Sequence, residues 1–216
     1  MNARVATTLA ALVVAAAVAG TSGAGGGVTI TARPLVVAAV ISPLYEPLTL
    51  SGSIPSRDPD ETVTIQANEC SFPGWRDVMT AHVGPGGTWS ARPSVLTRTT
   101  FRARWRATTS RTVTVQTRPG VSIEQSTRTR WSVGVLAMRS YLGRIGLLQR
   151  YDRRAARWRT VKRFRLTERV RAGQSTWTYA RFRARVPARS TVRAVIPRSQ
   201  VRPCYLAGYS LLLPAR

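Results

Sequence analysis

Val63-Thr64-Ile65-Gln66, eight residues, then Trp75-Arg76-Asp77-Val78: this phrase recurs as Gly146-Leu147-Leu148-Gln149, eight residues, then Trp158-Arg159-Thr160-Val161. A strand ends in Gln, a polar loop follows, and a new strand opens with Trp-x-x-Val. The echo continues downstream. Thr88-Trp89 matches Thr176-Trp177, and Thr100-Phe101-Arg102-Ala103 matches Thr191-Val192-Arg193-Ala194. A unit written twice predicts two copies of one domain, and internal repetition is settled before any other feature of the fold.

Working outward from the repeat, residues 35–117 read as seven short strands near 35–41, 48–54, 61–68, 75–83, 87–92, 98–106 and 109–117. Ser42-Pro43, Pro55 to Pro59, Pro73-Gly74, Gly84 to Gly87 and Pro93 break them apart. Residues 118–216 repeat the plan near 119–124, 130–138, 144–151, 157–166, 175–186, 190–196 and 205–213. Short strands between regular turn signals indicate an all-β sandwich rather than a parallel sheet with helices. Period-2 alternation is cleanest in Phe101-Arg102-Ala103-Arg104-Trp105-Arg106 and in Arg181-Phe182-Arg183-Ala184-Arg185-Val186, with arginines on one face. Trp158 and Val161 have opposite parity, which predicts a β-bulge. Thr117 to Gly120 is a short linker and predicts an end-to-end pair with a restricted hinge.

The first 24 residues read as a secretory signal: Arg4, then an apolar run from Val5 to Ala19, then small-x-small cleavage sites. That run is shorter than the roughly 20 residues a membrane-spanning helix needs. No second run of spanning length follows, so cleavage would leave no transmembrane segment. Residues 25–34 read as a flexible lead-in. The expectation is a secreted or envelope-associated protein.

Formal net charge is +24, carried by arginine except at Lys162. It is unevenly placed. Residues 34–118 hold nine arginines against six acids, about +3. Residues 119–216 hold 21 arginines and Lys162 against Glu124, Asp152 and Glu168, about +19. Such an excess attracts polyanions. The expected partner is an acidic cell-envelope polymer or other anionic surface. Nucleic acid would bind only nonspecifically, and a protein partner stays open, above all for the first domain.

The pattern of Gln66, Trp75, Gly86-Gly87-Thr88-Trp89, Thr100 to Trp105 and Ser110 to Val115 resembles the immunoglobulin-like β-sandwich repeats of secreted actinobacterial proteins. Leu148-Gln149-Arg150, Arg157-Trp158 and the segment Pro197 to Gly208 are similar to the partner repeat. The resemblance covers most of the chain after residue 34 and implies two tandem immunoglobulin-like sandwiches acting as spacers or adhesive modules. Cys204 departs from it, standing where a small residue is expected.

Catalysis finds little to use. His82 is the only histidine, which removes two-His metal sites, and it sits in an ordinary strand pattern. Asp58, Asp60 and Glu61 form the only acidic cluster; it lacks calcium-loop spacing and reads as a solvated turn. No Gly-rich phosphate loop opens a helix, so no cofactor is implied. The reading is a non-catalytic structural or adhesive protein.

Two features remain. Export permits a disulfide, and in stacked sandwiches the loops holding Cys70 and Cys204 fall at facing poles. Either they bridge the two domains or they are unpaired thiols on unrelated loops. Arg150, Arg153, Arg154, Arg157 and Arg159 surround one loop of domain two, and Arg181, Arg183 and Arg185 form a ladder with a step of roughly 6.6 Å. These eight are the candidate anion-binding residues; the bland reading is charge that guards strand edges. Trp75, Trp158, Trp89 and Trp177 occupy repeat-equivalent positions and are expected in core or partly buried places. Trp105 and Trp131 have no repeat partner. They are the candidates for an exposed stacking surface, the basis of an alternative role as a carbohydrate-binding or enzyme-accessory module.

Overall fold

The computed structural model describes residues 27–38 and 47–216. The expected signal peptide, residues 1–24, lies outside the described residues. Before the junction come β1 (Thr31–Arg33), β2 (Val36–Ala38), β3 (Thr49–Ser53), β4 (Thr62–Glu69), β5 (Phe72–His82), β6 (Thr88–Ala91), β7 (Thr99–Trp105), β8 (Thr108–Thr109) and β9 (Val113–Arg118). After it come β10 (Gly120–Gln125), β11 (Arg130–Ala137), β12 (Ile145–Asp152), β13 (Arg157–Arg165), β14 (Glu168–Ala172), β15 (Ser175–Arg183), β16 (Thr191–Ile196), a one-turn helix α1 (Arg198–Val201), β17 (Gly208–Tyr209) and β18 (Leu213–Pro214).

Each unit is two sheets packed face to face. In the first, β1-β3-β6 faces β2-β9-β7-β4-β5; in the second, β10-β11-β15-β14 faces β13-β12-β16-β17. Among the described residues all pairings are antiparallel except β2 with β9. The order in the second unit is A-B-E-D against C-F-G, the arrangement of an immunoglobulin-type sandwich, with β13 added at the edge beside the C strand β12. Its inner faces alternate as a half-buried strand must. Val133 and Val135 on β11 and Ala180 on β15 are buried, as are Leu148 on β12 and Ala194 and Ile196 on β16. The first unit buries Leu50, Val63, Ile65, Phe101, Ala103 and Val115 in the same way.

The structure corrects the strand reading in places. Residues 27–34 are not a free lead-in: β1 pairs with β3, and hydroxyl pairs Thr29–Ser53 and Thr31–Ser51, each at 3.0 Å, fasten it. The strand expected at 205–213 is split into β17 and β18 around Ser210. β14, a short exposed strand on the edge of β15, was not foreseen.

The bulge is real and occurs twice. Leu148 pairs with Lys162 and Gln149 with Thr160, leaving Val161 over. In the first unit Ile65 pairs with Met79 and Gln66 with Asp77, leaving Val78 over. The repeated Val of Trp-x-x-Val is therefore the bulged residue, and it is exposed in both units.

The two units are laced together. Cys70, in the β4–β5 turn, is bonded to Cys204, with Cα atoms 5.4 Å apart. Arg98 donates its backbone N–H to the carbonyl of Cys204, and Leu206 donates to that of Thr117. The Arg118 guanidinium reaches the carbonyl of Ala207 at 2.6 Å. Cys204 is buried among second-unit residues, and Cys70 packs against that same cluster. The junction is a packed contact as well as a linker.

Candidate functional site

The residues that the sequence repeats also meet in space. In the first unit the Arg102 Nε donates to Gln66 Oε1 at 2.7 Å, and its guanidinium lies 4.1 Å from the centre of the Trp75 ring. In the second, Arg193 Nε donates to Gln149 Oε1 at 3.0 Å, with the guanidinium 4.0 Å from Trp158. The triads lie on the outer faces of the sheets that hold β4 and β12. Trp75 and Trp158 are half-buried there, outside both cores. Tyr209 lies on the other side of Arg193 at 5.0 Å, and Arg118 lies over Tyr209 at 5.3 Å. Burial pulls the Arg193 guanidinium below its ordinary pKa. A second pairing also repeats: Ser110 Oγ accepts the N–H of Ala103, and Ser210 Oγ that of Ala194, each at 2.8 Å. These constellations hold a planar cation between fixed partners and complete a sheet, so they are architectural.

The charged groups divide by unit. In the first, carboxylates engage three of the outward arginines: Arg76 pairs with Glu69, Arg104 with Asp77, Arg106 with Glu61. Burial alone would raise the Glu61 carboxyl, but hydrogen bonds from Trp105 and Arg106 hold it below its usual value. The acidic turn is local: Asp58 Oδ1 accepts the N–H of Asp60 at 3.0 Å. His82 is exposed at the end of β5.

In the second unit, topology gathers arginines at one end. Gly120, Ala137, Ile145 and Ile196 mark the strand ends nearest the first unit; Gln125, Arg130, Asp152, Arg183 and Thr191 mark the opposite pole. There Arg150, Arg153 and Arg154 line an open depression of about 500 Å³ with Arg189, Ser190 and Thr191. Sequence reading missed Arg189, which lies 35 or more residues away in the chain and has a positive φ of 60°. Asp152 is the carboxylate of this depression, and it is spoken for. Its Oδ1 accepts the N–H groups of Arg154 and Ala155, and its Oδ2 meets Arg159 at 2.7 Å. The Ala155 N–H bond, aided by the Arg159 and Arg150 charges, holds the carboxyl below its ordinary pKa. Arg159 is thus tied to Asp152, and Arg157 is exposed but does not line the depression.

The ladder is shorter than expected. Arg181 and Arg183 project from the outer face of β15, but Arg181 pairs with Glu168 at 3.0 Å. Arg185 is exposed beyond the end of β15.

The tryptophan assignments require correction. Trp131 is not an exposed platform. It is 2% exposed, shares the inner face with Val133 and Val135, and donates from Nε1 to the carbonyl of Ala184 at 3.0 Å. Trp105 is half-buried, with Nε1 bound to Glu61 at 2.6 Å and Arg106 over its face. Trp89 is buried on an inner face, whereas Trp177 is half-buried on an outer one. The Thr-Trp echo is therefore not a structural equivalence. Trp177 stands beside Tyr179, with rings parallel to 13° and centres 5.6 Å apart.

No family model matches the chain, and no curated protein matches it. Among solved structures, a tetra-tandem repeat in the extending region of a large adhesion protein aligns over 89% of this chain at 14% identity, with a TM-score of 0.32. The chain spans 50% of that structure's length. That similarity is too low to transfer a role.

Proposed function

We propose that this is a non-catalytic, exported structural or adhesive protein of the cell envelope. In this reading the second unit grips an anionic surface polymer at the pole facing away from the first, and the first unit is a spacer or partner-binding module. The observation that carries the reading is the convergence of Arg150, Arg153, Arg154 and Arg189 on one open depression whose single carboxylate is already engaged. Such a cluster repels itself until an anion neutralises it, and guanidinium forks suit phosphate or carboxylate groups. The disulfide fits an oxidising compartment outside the cytosol, and the near-balanced first unit fits a spacer.

The test is retention of the full chain on isolated cell envelopes across a salt gradient, beside Arg153→Gln/Arg154→Gln/Arg189→Gln. Screening weakens exposed charge pairs steeply, so the wild type should elute as salt rises and the variant earlier. Its log-log salt slope should fall by about 0.7–0.9 per removed phosphate-type contact. Identical elution of the two proteins would overturn the assignment of the pole.

A further inference from the structure

We propose that the outer face of the β10-β11-β15-β14 sheet is a second binding surface, built for an acidic polysaccharide whose sugar rings stack on Trp177 and Tyr179. The site uses none of the four arginines of the polar depression, so either assignment can fail alone.

Register places the two rings outward. Trp177 pairs with Leu136 and Tyr179 with Gly134, on the face opposite the buried Thr178 and Ala180. Gly134 is what lets the rings settle against the sheet. A Cβ there would meet both at 3.0 Å and Ser122 Oγ at 2.7 Å. Val170, 57% exposed, extends the apolar row beside Trp177. The two rings stack on each other and lean on a glycine, so the pair presents its outer face and ring edges, apolar area with little rotamer freedom to lose.

The surroundings select the occupant. Glu168 is the register partner of Tyr179 and is paired with Arg181, so a carboxylate and a guanidinium lie beside the rings. That mixture of acceptor and donor matches sugar hydroxyls, which both donate and accept. Further along the face an open groove of about 590 Å³ is lined by Arg130, Arg181, Arg183 and Ser132, with Glu124 as its one carboxylate; Arg181 is already paired with Glu168. Two guanidinium groups there await carboxylates on the same chain.

The experiment uses the full chain on immobilised polygalacturonate, with polyglutamate as a carboxylate polymer lacking sugar rings. At about 1 M sodium chloride, where the screening length is about 3 Å, polyglutamate should release the protein and polygalacturonate should retain it. Trp177→Ala should weaken polygalacturonate binding about tenfold, the loss expected when ~50 Å² of apolar contact is removed. Trp177→Phe should retain most of it, and polyglutamate binding at low salt should be unchanged in both. Tyr179→Ala provides the same test if Trp177→Ala fails to fold. Co-elution from the two polymers, or a Trp177→Ala protein that binds polygalacturonate as the wild type does, overturns the proposal.

Discussion

The triad Gln149–Arg193–Trp158 makes a quantitative prediction. Replacing Arg193 by Ala removes a hydrogen bond to Gln149 at 3.0 Å and stacking on Trp158 at 4.0 Å and Tyr209 at 5.0 Å. A hydrogen bond from a charged group contributes about 1.5–3 kcal/mol. A half-exposed cation–π contact adds about 0.5–1 kcal/mol. With both rings counted the expected loss is about 2.5–5 kcal/mol, a large fraction of the stability of a small domain. The cleaner quantity is the coupling. In a cycle of Arg193→Ala, Trp158→Ala and the double variant, the two residues should show about 1 kcal/mol of interaction. Urea denaturation read by circular dichroism follows the unfolding. Arg193→Lys should recover less than half of the loss, because an ammonium cannot lie flat between two rings while donating sideways to Gln149. Coupling below about 0.3 kcal/mol, the range of additive sites, would refute the triad as a unit, as would a fully stable Arg193→Lys.

Three further outcomes are expected. Cys70→Ser/Cys204→Ser opens a loop of sequence separation 134 and should cost up to about 5 kcal/mol by loop entropy; a denaturation midpoint unmoved by reductant would argue otherwise. Gly52→Ala drives a Cβ to 2.0 Å from the Thr29 carbonyl oxygen and 2.7 Å from the Trp89 ring. It should cost about 1–3 kcal/mol, seen as a lower melting temperature, and a neutral result would mean the segment at Thr29, just before β1, does not pack there. Burial raises the phenols of Tyr141 and Tyr205. The unfolded chain therefore gives up those protons first, and stability should fall as pH rises above about 10. In an ultraviolet titration both should ionise only on unfolding; normal titration of every tyrosine in the native protein would contradict their burial.

Much of this was legible as repetition and parity. Gln66 and Trp75 recur as Gln149 and Trp158 at the same spacing, and Arg102 recurs as Arg193 in the matching strand after a longer connection, because one cation must reach one amide and one ring from three neighbouring strands. The parity break at Trp158 and Val161 marked the bulge. Parity also held information that the Thr-Trp echo obscured. Trp177 shares its parity with Tyr179, Arg181 and Arg183, so it had to face outward with them, and Trp131 shares its parity with Val133 and Val135. Arg189 was beyond reach, because only the return of the chain to β16 brings it to Arg150. Ser110 and Ser210 escaped notice because their partners are backbone groups, which leave no pattern in side chains. β14 is exposed along its whole length, so it carries no apolar alternation by which a strand is recognised.

The bond between Cys70 and Cys204 has a mechanical meaning for a protein held at one end and loaded at the other. Tension between the two ends of the chain runs across that bond rather than through the strands between. The intervening stretch, a separation of 134 residues, would otherwise yield about 450 Å of contour length at the reach of an extended chain. It includes β5, β7, β9 and nearly all of the second sandwich. Pulled hard, the protein would give up only β1 to β4, β17 and β18, which lie outside the bonded loop, and then stop, so the bond sets a limit on how far the chain can lengthen.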